Sequence, residues 1–254
     1  IDQLPELAEE QIIIEPSRRD TMPCILNAVQ FVSTRYGYDE PIASVHADHY
    51  IRDVDGFVQG LKVAAETATK HQRITLLGVE PTHPDVKYGY INKGDIFDHE
   101  DFVYEIDSFK EKPEYKVAKE YFESGEYLWN MGYFVAPYSV FNKEITENAD
   151  KHWREQLARL EAAKTNEERD AIYLDFEKAP IDIALIERVP SLLVMPGAFD
   201  WMDVGSFDDV HKVSSQDELG NALVGENIQV LDSKHVYVRN NDSSKPVVVI
   251  GMDN

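Results

Sequence analysis

Short β-branched runs and longer amphipathic stretches take turns along the chain. Gln11-Ile-Ile-Ile14 reads as a strand, Met22 to Arg35 as a helix, Pro41 to His46 as a strand, Val54 to Lys70 as a helix and Arg73 to Val79 as a strand. Tyr88 to Lys93 and Phe102 to Lys110 read as further strands, the second alternating at Phe102, Tyr104, Ile106 and Ser108. A helix opens at Lys112-Pro113, runs through Phe122 and stops at Ser124-Gly125. Tyr127 to Val135 is strand-like, Lys143 to Asp175 is a polar and largely helical excursion, and Ile181 to Arg188 is a short helix before the strand Ser191 to Met195. Strand alternating with helix predicts an α/β domain, a mostly parallel sheet covered by helices.

From Gly220 the pattern changes. Ile228 to Leu231, Val236 to Arg239 and Val247 to Ile250 are separated by Asp-Ser-Lys and Asn-Asn-Asp-Ser-Ser turns, with no helical period between them. These predict a small C-terminal β region, with a boundary near Ser215 to Gly220 that divides the chain into 1–217 and 218–254. The chain opens at Ile1 and stops just past the apolar run Val247-Val-Val-Ile-Gly-Met, so a fragment is expected.

Composition narrows the classes. With 43% apolar and 28% charged residues the chain matches a soluble globular average. No apolar run approaches the roughly 18 to 20 residues that a membrane span needs, and no cationic leader precedes one, which predicts a soluble, cytoplasmic protein without a membrane partner. The single cysteine, Cys24, cannot close an internal disulfide, and eight histidines without cysteine partners form no structural zinc pattern. Forty-seven acidic residues against 25 basic ones give a net charge of -22, which repels nucleic acid. Phosphate chemistry on such a surface requires a metal ion and a few locally placed cations.

Four short stretches carry polar residues where predicted strands end, the position at which open α/β folds bind ligands. They are Glu15-Pro-Ser-Arg-Arg-Asp-Thr-Met-Pro-Cys-Ile25; His46-Ala-Asp-His-Tyr-Ile51; Tyr88-Gly-Tyr-Ile91 on to Phe109-Lys-Glu-Lys-Pro113; and Trp129-Asn-Met-Gly-Tyr-Phe134 on to Trp201-Met-Asp-Val-Gly205. In FDWMDVGSFDD, residues 199–209, four acids surround one glycine. One reading is local: Gly205 makes a turn, Ser206 caps a helix and Asp209 completes a capping-box-like pair. The other makes Asp203 one of two carboxylates gripping a divalent metal. His46 and His49 as a transition-metal pair lack an evident third ligand, which also weakens a metal-dependent hydrolase.

In order and spacing these stretches resemble the sugar-1-phosphate nucleotidyltransferases, most closely the mannose-1-phosphate guanylyltransferases, over nearly the whole chain. The pattern EPxxRxTAPAI, ADHxI, GYGYI, EKP, LWNxGxF, SIDxAxxE and DVGSW stands here as EPSRRDTMPCI, HADHYI, KYGYI, EKP, LWNMGYF, PIDIALIE and DVGSF. Met22 and Cys24 replace alanines, Phe207 a tryptophan and Pro180 a serine. The family's opening GGxGxRLxPLS loop is missing, and no Gly-Gly or Gly-x-Gly occurs in the chain.

The resemblance implies a Rossmann-like domain that makes GDP-mannose and pyrophosphate from GTP and mannose 1-phosphate. It implies that Asp48 and Asp203 hold Mg²⁺, which suits hard oxygen ligands. Glu15 would read guanine, whose N1–H and exocyclic amine offer two adjacent donors to a carboxylate, with Arg19 and Thr21 beside the nucleotide. Gly89 would let backbone approach the hexose, Glu111 and Asn130 would meet its hydroxyls, Lys112 its phosphate, and Asp182 would support the sugar side. Local alternatives stand beside these: turn amides for Glu15, a solvated basic pair for Arg18 and Arg19, a surface pair for Glu111-Lys112, strand-end backbone for Asn130 and a helix N-terminal acid for Asp182. A homodimer is an open option. A non-catalytic regulatory homologue is the competing class, because without a phosphate-binding loop this chain by itself is expected to show no pyrophosphorylase activity.

Overall fold

The computed structural model describes residues 4, 5 and 7–253. In chain order the elements are α1 (Thr21–Tyr36), β1 (Pro41–Ala43), β2 (His49–Tyr50), α2 (Val54–His71), β3 (Thr75–Val79), β4 (Tyr90–Asp98) and β5 (Val103–Lys110). Next come α3 (Tyr115–Ser124), β6 (Tyr127–Pro137), α4 (Tyr138–Asn148), α5 (Lys151–Ala162), α6 (Asn166–Leu174), α7 (Ile181–Ala184) and β7 (Leu193–Pro196). The remainder is β8 (Met202–Asp203), α8 (Phe207–Val213), β9 (Ala222–Gly225), β10 (Ile228–Leu231), β11 (Tyr237–Asn240) and β12 (Val247–Ile250). They fall into two compact units, one holding the chain up to His46 with Val54–Ala198, the other Ala47–Asp53 with the chain from Phe199 onward.

The first unit is built on a six-stranded sheet in the order β1-β6-β3-β7-β5-β4. Its α/β character matches the pattern of the sequence, but its direction does not. Among the described residues of this sheet only β3 and β7 pair in parallel, Thr75 opposite Leu193, while β1–β6, β3–β6, β4–β5, β4–β6 and β5–β7 are antiparallel. The mostly parallel sheet is therefore corrected to a mixed one. β4 and β5 are joined by too few residues for a crossover, so they close as a hairpin. The expected strand at 11–14 does not form either: a 3-10 turn spans Glu9–Gln11, residues 12–15 have no regular structure, and Ile14 is 80% exposed.

Helices cover the sheet because their apolar residues repeat at helical spacing. α1 buries Met22, Leu26 and Val29 on one face. The excursion that looked polar supplies core as well, since α5 buries Trp153, Leu157 and Leu160 at the same i, i+4, i+7 spacing. β3 is buried along its whole length, which fixes the sheet's centre and the strand ends beside it.

In the second unit β2 pairs with β8, His49 opposite Asp203. β9 pairs with β11 and β10 with β12, both parallel, and a parallel bridge joins Lys234 to Asp253. Three successive segments thus meet their counterparts one coil later, giving two turns of a parallel coil. Buried Asn221 ties the turns: its Nδ2 donates to Ser233 O, and its Oδ1 accepts from Val236 N. By contacts the units divide at Phe199, because residues 199–217 group with β2 and this coil.

Candidate active site

The sugar-side residues expected from the sequence converge in the first unit. Asn130 on β6 donates its backbone N–H to Gly89 O at 2.8 Å, just before β4 begins. A Cβ on Gly89 would lie 2.5 Å from Glu111 Oε2, 3.2 Å from Asn130 Cβ and 3.3 Å from Phe109 Cζ. The space that glycine leaves is thus occupied by the Glu111 carboxylate. Gly89→Ala should push that carboxylate aside and raise about tenfold or more the KM for any substrate the cluster orients, since small displacements of positioning groups are costly. An unchanged KM in steady-state assays would separate Gly89 from the site.

Glu111 and Lys112 close β5. Lys112 has a φ of 43°, uncommon for a non-glycine residue. The preceding backbone is pinned by the 3-10 turn Ile186–Arg188, where Glu187 Oε1 accepts from Glu111 N at 3.1 Å and pairs with Lys110 Nζ at 3.7 Å. Lys112 Nζ lies 2.9 Å from Glu111 Oε1, so the surface pair and the site are the same structure. Burial works against the Lys112 charge, but Glu111, Asp182 and Asp20 outweigh it and raise the ammonium above its ordinary range. A phosphate arriving at Lys112 would have to share it with Glu111.

Asn130 is oriented by its neighbours. Gly132 N–H, which can only donate, reaches its Oδ1 at 3.0 Å, leaving Nδ2 to donate to Asp182 Oδ1 at 2.8 Å. Asp182 stands in the first turn of α7, so it is both a helix N-terminal acid and part of this cluster. Burial, with the charge of Glu111, pushes its carboxyl up to about 6 despite the Asn130 hydrogen bond.

The predicted nucleotide residues lie on the loop into α1. Asp20 Oδ1 accepts from Thr21 N at 2.9 Å and caps the helix. Thr21 Oγ1 accepts from Ile181 N at 2.9 Å, which leaves its O–H to donate, while Met22 N donates to Ala179 O at 3.0 Å. These bonds join the loop to the start of α7, one residue from Asp182. Arg19 Nη2 donates to Leu174 O at 2.7 Å, and its buried Nε has no hydrogen-bond partner. Glu15 accepts not from turn amides but from the hydroxyl of Tyr173, 158 positions later. Tyr173 and Glu187 had no assigned role in the sequence. Glu187 ends the PIDIALIE motif and was legible there, whereas nothing local marks Tyr173.

Asp48 and Asp203 belong to the second unit. Val204 N donates to Asp48 O at 3.2 Å beside the His49–Asp203 pair, so Asp48, in the turn just before β2, stands one step in register from Asp203 on β8. Each carboxylate is a hard oxygen donor of the kind Mg²⁺ takes. His49 is not a comparable donor: its Nδ1 accepts from Trp201 Nε1 at 2.9 Å, and since an indole N–H only donates, the neutral ring carries its proton on Nε2. The local reading of the loop also holds, because Ser206 accepts from Asp209 N at 3.2 Å and caps α8.

A polar cluster at strand ends is thus tied through Thr21 and Ile181 to a helix-start loop carrying a carboxylate and an arginine. The chain belongs to the Nucleotidyl transferase family, whose profile matches residues 1–219. It is 33% identical over 265 residues to the xanthan biosynthesis protein XanB of Xanthomonas campestris, covering all of this chain and 53% of that protein. It is equally 33% identical, over 258 residues, to a Klebsiella pneumoniae mannose-1-phosphate guanylyltransferase, covering 99% of this chain and 53% of that protein. The chain therefore spans about half the length of the curated relatives it matches. A Thermus thermophilus crystal structure described as a mannose-1-phosphate geranyltransferase superposes with a TM-score of 0.82 at 29% identity, covering 95% of this chain and 68% of that one.

Proposed function

We propose that the full-length protein is a mannose-1-phosphate guanylyltransferase. A phosphate oxygen of mannose 1-phosphate attacks the α-phosphorus of GTP in line, the bond to the bridging oxygen breaks, and pyrophosphate leaves. Both reactants are anions, so the protein's work is alignment and charge neutralisation. The observation carrying this reading is the joined cluster of Gly89, Glu111, Lys112, Asn130 and Asp182, tied through Thr21 and Ile181 to the loop that bears Arg19 and Glu15. The guanylyltransferases among its relatives support the same reading.

In this reading Glu111, Asn130 and Asp182 orient the hexose, and Lys112 shares its charge between Glu111 and the sugar phosphate. Glu15 accepts from guanine, and Asp48 with Asp203 holds Mg²⁺. When bound, Mg²⁺ supplies positive charge that screens the phosphates. No described helix is long and apolar enough to cross a membrane, and a cytoplasmic setting follows from the charge of both substrates. The test is pyrophosphate release by the full-length protein from GTP with mannose 1-phosphate or glucose 1-phosphate. Release with mannose 1-phosphate supports the proposal. Binding of both ligands without turnover would make the protein a regulatory homologue, and release only with another sugar phosphate would reassign the substrate.

Glu15→Gln should collapse the preference for GTP over ATP by about tenfold or more, because an amide both donates and accepts where the carboxylate only accepts. The ratio of kcat/KM for the two nucleotides measures it. An unaltered ratio removes Glu15 from the base site.

A further inference from the structure

We infer that Tyr173 is a positioning residue for base recognition, holding the Glu15 carboxylate in the orientation that reads guanine. The inference rests on the proposal that Glu15 contacts the base. Glu15 is exposed, on a segment without regular secondary structure, so nothing in its own backbone fixes its long side chain. Tyr173 is the opposite: 1% exposed near the end of α6, with its ring 5.2 Å from that of Phe176 in the core. Its hydroxyl donates to Glu15 Oε2. The chain just beyond is held too, since Arg19 takes the carbonyl of Leu174.

Cys24 on α1 is half-buried, and burial, with the charge of Glu15, pushes its thiol up to about 11. A rigid phenol from α6 thus meets one flexible carboxylate. A carboxylate has about four acceptor sites, so the pair of N–H donors on guanine can still be met after this one is used. Fixing the carboxylate before the base arrives removes an ordering cost from binding and concentrates the discrimination on bases that present two donors.

The experiment compares Tyr173→Phe, Glu15→Gln and the double variant in the full-length protein, measuring GTP, ITP and ATP affinity by calorimetry alongside steady-state kinetics. Tyr173→Phe keeps the ring in the core and removes only the hydroxyl. The expected result is GTP affinity weakened about tenfold, the size of a lost hydrogen bond to a charged group, with ATP affinity and the sugar-phosphate KM unchanged. Because Tyr173 acts through Glu15, the double variant should be no weaker for GTP than Glu15→Gln alone. ITP, which lacks the exocyclic amine, should lose less than GTP. If Glu15→Gln collapses selectivity while Tyr173→Phe leaves GTP binding intact, the inference fails and the base-site proposal stands. If Glu15→Gln is itself silent, the proposal and the inference fall together. Equal weakening for all three nucleotides, with a lowered melting temperature, would show a merely structural role and overturn the inference.

Discussion

Asp203→Asn in the full-length protein should lower kcat about a hundredfold or more and leave the fold intact, with Asp48→Asn behaving alike. Removing a group that stabilises charge developing in the transition state typically costs this much. The fold is spared because the β2–β8 ladder and the bond from Val204 to Asp48 use backbone atoms, and the α8 cap uses Ser206 and Asp209. An amide matches the carboxylate in shape and removes its charge. Melting curves and kinetics separate the alternatives. Near-normal turnover with a lowered melting temperature would leave Asp203 as a turn residue. Mn²⁺ binding followed by electron paramagnetic resonance gives a readout independent of turnover, and each variant should weaken it.

The features legible in the sequence are those that local chemistry decides. α1 and α2 follow from apolar spacing, α3 stops at Gly125 because that residue takes a left-handed φ of 70°, and β10, β11 and β12 are bounded by turn residues. The direction of the strands was not legible, because a strand's own residues do not say which distant neighbour it meets. The same limit explains the run Gln11 to Ile14, where β-branched residues favour a strand only if an edge is present to pair with. β2 and β8 are two residues long each and mostly polar, so no period could reveal them. At the site, residue types were readable from motifs but their partners were not. Gly89 faces the Glu111 carboxylate, and the hydroxyl of Thr21 accepts from the backbone of Ile181. Both contacts join segments well separated in the chain, which no local motif can show.

Asp182→Asn should stabilise the ligand-free protein at neutral pH and lose that advantage in acid. The carboxyl is pushed from 3.8 up to about 6, mainly by burial. A raised pKa means that the folded state keeps a proton the unfolded chain has already released. The favourable contribution of the protonated acid is therefore complete below about 3.8 and is lost as pH rises through about 6. Above that range the ionised group is a net cost of order 1–3 kcal/mol, from about 1.4 kcal/mol per pKa unit less the imperfect fit of an added amide. The variant keeps an oxygen to accept from Asn130 Nδ2 but cannot ionise, so it escapes this cost. Denaturant titrations of both proteins between pH 4 and 8 measure it: the gap should open across the window from about 4 to 6 and stay constant above it. A gap independent of pH would mean that Asp182 is not the titrating group. On the proposed function the variant should also bind sugar phosphate more weakly, because a charged carboxylate accepts from a hydroxyl more strongly than a neutral amide does. Stability given up at this buried carboxylate would then be the counterpart of recognition, as at other sites where a strained or desolvated group is retained for function.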